Sequence, residues 1–278
     1  MEIINENSDE YQHYVETYQS KIEKALEDHR PQAPSGIDTA FDSAVDHVLS
    51  TEELRITPML TLLGAELVGG KADDVLPTAA AVEFIFQASH IFSELPCMGN
   101  DKTAQEYKGL HEEFGEDLAV LIGIGLLNAS YPLVFVNHGG MPERALQAHS
   151  EIVECIGSAG LIGKEIVADE AASGAEEFES SGSPKTSVLM RLALRLGAIL
   201  SGADYIELAN LSRFAELLGD VHSRGQEQDA SQITLENIAD DAKRNLIEDF
   251  SSNEARTCLI QLTDSFWAPN RSDDINIA

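Results

Sequence analysis

From Ala80 to Asp101 the chain reads AAVEFIFQASHIFSELPCMGND, and its apolar residues recur at helical spacing. Ala81, Ile85, Ala88, Phe92 and Leu95 form one stripe, widened by Phe84, Phe86 and Ile91. Glu83, Gln87, His90 and Glu94 form a narrow polar stripe at steps of four, three and four. A helix this apolar on most sides is predicted to lie at the centre of the fold. Pro96 marks its end, because proline removes a backbone donor and clashes one turn back.

The same reading predicts helices along the rest of the chain. Residues 8–28 form an amphipathic one, with Tyr11, Tyr14, Val15, Tyr18 and Ile22 on its apolar side and Pro31 and Pro34 after it. A second runs from Thr39 to Leu49. A third opens at Ser50-Thr51-Glu52-Glu53, with Thr51 as N-cap, and closes at Gly69-Gly70. Leu118 to Leu127 is apolar all round, which predicts a core helix, and Gly123 and Gly125 within it predict close packing. Asn137 to Gly140 reads as a loop with an exposed His138, and Pro142 begins the next helix. Lys185 to Leu200 is a second core helix, a later one breaks near Gly225, and 234–250 and 252–266 are amphipathic. Residues 172–184 form an acidic loop, and the chain after Pro269 is an expected disordered tail. The fold class is all-α.

Charge narrows the partners. The 278 residues carry 48 acidic and 18 basic side chains, a net charge of −30. Such a field repels nucleic acid and anionic membrane surfaces. It is compatible with a high-salt source. Cys97, Cys155 and Cys258 lack metal-ligand spacing and suit a reducing compartment, so the expected location is cytoplasmic. The acidic N-terminus lacks the pattern of a signal peptide, and Leu118–Leu127 is too short to span a bilayer.

The stretch around Ala80–Asp101 resembles the first signature helix of the polyprenyl synthetase (isoprenyl diphosphate synthase) family, roughly A-x-E-x-I-H-x-x-S-x-I-H-D-D-L-P-C-M-D-N-D. Glu83, Ile85, Ser89, Ile91, Leu95, Pro96, Cys97, Met98, Asn100 and Asp101 keep the frame. ELRITPMLTLLGAELVGG resembles the family's G-K-R-x-R-P segment and the helix after it, with Arg55 and Pro58 in place, Leu54 for the Lys and Thr57 for the second Arg. His111, Phe114, Gly115, Glu116 and Gly123 match H-K-x-F-G-E-x-L-A-x-L-x-G-D, while Ala104 and Gln105 stand for two diphosphate-binding Arg. Gly160–Gly163 matches G-M-V-G, and Lys185-Thr186 matches the family's K-T.

This resemblance implies one isoprenoid synthase-type helical domain over residues 1–278, built around a central cavity. It implies magnesium held between two Asp-rich motifs. Here the first has Ser93, Glu94 and Gly99 at its Asp positions, followed by Asp101; the second has Gln226, Glu227 and Ala230. Arg55, His111, Lys185 and Thr186 are what remains of the diphosphate clamp. Small Ala88 and Ser89 sit where the family caps its product tunnel, and Phe86 and Phe92 replace His near its mouth.

Mg²⁺ needs several hard oxygen ligands, so losing both motifs argues against the family's prenyl transfer. The reading favours a non-catalytic or regulatory subunit, as a homodimer or paired with an intact homologue, with Phe114 to Leu127 in the interface and no cofactor. The alternatives are an altered prenyltransferase using Mg²⁺, for which Arg55, Asp101, Lys185 and Thr186 remain, and a module that binds an apolar isoprenoid; Glu165 and Asp169, one helical turn apart, read as an exposed acidic pair in preference to a substitute metal site.

Overall fold

The computed structural model describes residues 9–35, 40–50, 54–98, 109–138, 140–163, 166, 185–225 and 232–266. Its α-helices are α1 (Asp9–His29), α2 (Ala40–Leu49), α3 (Ile56–Leu67), α4 (Leu76–Ser93), α5 (Leu110–Phe114), α6 (Glu116–Ser130), α7 (Pro142–Ile156), α8 (Lys185–Ser201), α9 (Tyr205–Gly225), α10 (Gln232–Asp249) and α11 (Glu254–Ser265). No strand occurs among the described residues.

The centre is α3, α4 and α8. Every residue of α3 except Glu66 is buried, as are most of α4 and α8. Helices α3 and α8 meet backbone to backbone: a Cβ on Gly64 would strike the Leu194 carbonyl, and one on Gly197 the Thr61 carbonyl. Only glycine permits that approach. Helix α6 packs on the far side of α4, while α7 and α9 pack on α8.

Helix α3 starts later than its sequence suggests. The expected N-cap Thr51 lies outside the described residues, and Arg55 is extended (φ −80°, ψ 95°) just before Ile56. Pro58 then occupies the first turn, where a missing N–H costs nothing. The other end is as predicted. Gly69 adopts φ 83°, and the N–H groups of Gly69 and Gly70 donate to the carbonyls of Glu66 and Ala65. Asn253 caps α11 by accepting from the Arg256 N–H at 2.9 Å, and its amide donates to the carbonyls of Glu66 and Leu67.

Helix α1 is clamped by the same corner. The Tyr14 hydroxyl donates to Glu66 at 2.7 Å, and burial together with that carboxylate pushes the phenol's pKa up. Glu23, further along α1, reaches the functional region described below.

Two expectations are corrected here. Helix α6 is a core helix on one side only: Ala119, Ile122, Gly123 and Leu126 are buried, but Leu121 is 58% and Ile124 45% exposed. His138 is buried rather than exposed, because Asn137 (φ 67°) turns the chain inward; burial lowers its pKa. The membrane test also reads differently. With the 3-10 turn Tyr131–Phe135 added, Glu116–Phe135 is long and apolar enough to cross a bilayer, as is Ala72–Ser93; the latter is mostly buried inside the bundle.

Candidate functional site

The polar stripe of α4 faces α3, and its deepest member is Glu83. The Glu83 carboxylate accepts from Arg55 Nη1 at 2.7 Å, Thr57 Oγ1 at 2.8 Å and Gln87 Nε2 at 2.9 Å. Arg55 Nε donates to Glu23 at 2.8 Å, and Nη2 donates to the Leu49 carbonyl. The side chains of Arg55 and Glu83 are each 3% exposed. Burial works against the Arg55 charge, but Glu83 and Glu23 outweigh it and hold the guanidinium's pKa above its usual value. Each of the three guanidinium nitrogens thus has a partner within the protein, and two of those partners are carboxylates.

One turn further on, the His90 ring lies 4.6 Å from the Phe86 ring. Burial lowers the His90 pKa and Lys185 lowers it further, against the pull of Glu83. Lys185 opens α8, which packs on α4, and its charge and that of Glu83 act on His90 in opposite directions. Thr186 follows, half-buried.

The end of α4 is organised differently. Ser93 Oγ donates back to the Ser89 carbonyl at 2.7 Å. Glu94 terminates the helix, and its carboxylate lies near the start of the α5 segment, beside Gly109 and His111. A Cβ on Gly109 would stand 2.8 Å from His111 Nδ1 and 3.2 Å from Glu94 Oε2, so one small gap separates the two side chains. Burial raises the Glu94 pKa and Glu112 adds to the rise, while His111 and the Leu110 N–H oppose it. Glu94 is thus turned toward the α5 segment.

Phe92 packs on α6. Its ring occupies the notch at Gly123, where a Cβ would come within 2.7 Å of Cζ. Phe86 and Ala88 are buried and Ser89 is half-buried. Gly99, Asp101, Gln226, Glu227 and Ala230 lie outside the described residues, as do Glu165 and Asp169. Among the described residues no three His, Cys, Asp or Glu side chains gather as a cation would require. Ser93 bonds to the Ser89 carbonyl and offers no carboxylate, which leaves Glu94 as the single hard anionic ligand among the described first-motif positions, too few for a magnesium site.

Sequence reading did not find Glu23, which sits in no motif and reaches Arg55 only through the docking of α1. It recorded Thr57 as a lost Arg, whereas the hydroxyl is a donor to Glu83. Gln87 was legible, four residues after Glu83 on one helical face.

The polyprenyl synthetase family model matches residues 38–223. A heterodimeric geranylgeranyl pyrophosphate synthase large subunit of Arabidopsis thaliana is 32% identical over 222 residues, covering 77% of this chain and 59% of that protein. The chain spans about half the length of other curated relatives it matches. An FPP/GFPP synthase of Zymomonas mobilis superposes with a TM-score of 0.80 at 18% identity, covering 92% of this chain and 98% of that one. The geranyl diphosphate synthase small subunit of Antirrhinum majus does so with a TM-score of 0.71 at 23% identity, covering 89% and 96%. With the family model spanning well over half of its length, this all-α chain belongs to the polyprenyl synthetase family.

Proposed function

We propose that this protein is a non-catalytic, partner-forming member of the isoprenoid-synthesising family, working without a metal cofactor. The observation that carries the reading is the closed Arg55–Glu83 network. The cation that the resemblance assigns to a diphosphate is buried and spends its donors on Glu23, Glu83 and a carbonyl. Ser93, at a motif position, donates to the Ser89 carbonyl, and Glu94 beside it is turned toward Gly109 and His111. The net charge of −30 adds a repulsive field against any diphosphate.

The surface supports a partner. Helix α6 presents Leu121 and Ile124, and α7 presents Leu146 (60% exposed) and Val153 (49%). Phe135, 44% exposed, lies in the 3-10 turn that contacts both helices. Clustered exposed apolar side chains on regular helices suit an interface. One relative is named as part of a heterodimer and one structural neighbour as a small subunit, which makes an intact homologue a suitable partner. Three cysteines without metal-ligand spacing fit a reducing aqueous compartment, cytoplasmic by the sequence reading; several plant relatives are named chloroplastic.

A second reading, an altered prenyltransferase, draws on Lys185, which opens α8 and whose charge acts on His90. One experiment separates the two. The purified protein is incubated with geranyl or farnesyl diphosphate, isopentenyl diphosphate and Mg²⁺, alone and mixed with an intact family member. The expected result is no turnover by the protein alone and altered output from the mixture. Multiple turnovers by the protein alone, lost with EDTA, would overturn the proposal.

A further inference from the structure

We propose that the face formed by α6 and α7 selects its partner by charge: it rejects a second copy of this chain and accepts a chain of the same fold whose matching rim is basic. This rests on the reading of that face as an interface.

Helix α6 carries one exposed stripe, Asp117, Leu121, Ile124 and Asn128, at steps of four, three and four. On α7 the exposed side runs from Glu143 through Leu146, Gln147 and Ser150 to Val153 and Glu154. Each exposed side thus combines apolar side chains with uncharged polar ones and is acidic at one end or both. Neither helix contains Lys. Arg144, the single Arg on the two, is half-buried, and its Nη1 points to the Leu200 carbonyl at 3.4 Å. His149 is half-buried, its ring 5.8 Å from Tyr131 and 5.9 Å from Phe135. No exposed cation on either helix answers these carboxylates.

A two-fold dimer sets such a face against itself, so the net negative charge of one face meets the same net charge on its copy. Like charges across an interface select against the wrong partner, and opposite charges steer the right one. The whole-chain charge of −30 acts in the same direction on two copies. Replacing one copy by a chain with Lys or Arg at the rim reverses the sign and leaves the apolar contact unchanged.

The test uses a charge-reversed copy as the basic-rimmed probe. The triple variant Asp117→Lys, Glu143→Lys, Glu154→Lys is mixed with the wild type, and association is followed by sedimentation at low and high salt. Because all three side chains are exposed, circular dichroism should show the same fold. The mixed pair should associate at least about tenfold more tightly than the wild type with itself in ~0.05 M salt. That gap should close near 1 M, where the screening length falls to about 3 Å. A neutral triple, Asp117→Asn, Glu143→Gln, Glu154→Gln, should self-associate more tightly than the wild type. If the wild type self-associates as tightly as the mixture and neutralisation changes nothing, the charge inference fails while the interface stands. If mixture and neutral triple stay monomeric at every salt, or Leu121→Asp leaves the mixed pair intact, the reading of the face fails and this inference with it.

Discussion

Replacing Arg55 by Met tests whether the buried network is structural or a vacant ligand site. Arg55 and Glu83 are each 3% exposed at the side chain and 2.7 Å apart. Removing one partner of such a pair leaves an uncompensated buried charge and costs about 3–5 kcal/mol. The Glu23 arm contributes little, roughly 0–1 kcal/mol, because that carboxylate is 42% exposed. Thr57 and Gln87 still donate to Glu83, which places the expected loss toward the lower end, about 3 kcal/mol. Against a total stability of about 5–15 kcal/mol this is readily measured by urea unfolding followed by circular dichroism. The double variant Arg55→Met, Glu83→Met should lose less than the sum of the singles by about 2 kcal/mol, since both charges leave together. Inorganic pyrophosphate should leave the wild-type melting temperature unchanged. A loss below about 1 kcal/mol for Arg55→Met with additive singles, or a pyrophosphate-induced rise that Arg55→Met abolishes, would refute the closed-network account.

Gly123→Val should destabilise by about 1–3 kcal/mol through the Phe92 ring, with partial relief from Phe92→Leu, whereas Gly197→Ala should cost more because its clash is with backbone; thermal melts check both. His90 and His138 have pKa values lowered below 6.5 by burial, so their stabilisation is full above 6.5 and is lost as pH falls through the lowered values. The melting temperature should therefore drop on acidification from neutral, less steeply in His138→Asn. Glu94 has the opposite sign: its raised pKa gives stability present below 4.5 and lost as pH rises through the folded value, so Glu94→Gln should melt higher than the wild type at neutral pH. Raising salt from ~0.01 M to ~0.15 M should raise the melting temperature by screening the surplus of acidic side chains, and a fall would contradict the repulsion argument.

The helical order was legible because apolar periodicity and backbone punctuation are local signals. Gly69, Gly123 and Pro142 each mark a feature that the structure places at that residue. The start of α3 was misread because Ser50–Glu53 looks like a cap, while Pro58 is equally at home in a first turn. Residues decided by tertiary contact were not legible. His138 is buried by a loop turn, and Glu23 finds Arg55 only once α1 has docked. The outward face of α6 could not be told from its inward face, since Leu121, Ile124, Ile122 and Leu126 are equally apolar. Periodicity assigns a stripe when polar residues mark its boundary, and here they do not.

The pattern of kept and lost signature residues has a physical basis in which of them have partners inside the protein. Arg55 cannot be deleted cheaply, because Glu83 is buried beneath it and would be left charged and alone. Glu83 in turn holds Thr57 and Gln87, so the network is anchored on α3 and α4 whether or not a ligand ever binds. Gly123 is held by the Phe92 ring in the same way. A second Arg at Thr57 or a Lys at Leu54 would bring an additional cation beside a carboxylate that already has one. Buried without a diphosphate, each would carry the desolvation cost of a charge with no partner. Once the ligand no longer binds, folding favours removing those cations and retaining Arg55. The fold's own centre, the close approach of α3 and α8 through Gly64 and Gly197, contains no charge and is untouched by that exchange. A scaffold held in this way can therefore persist whether or not the residues around it keep a ligand.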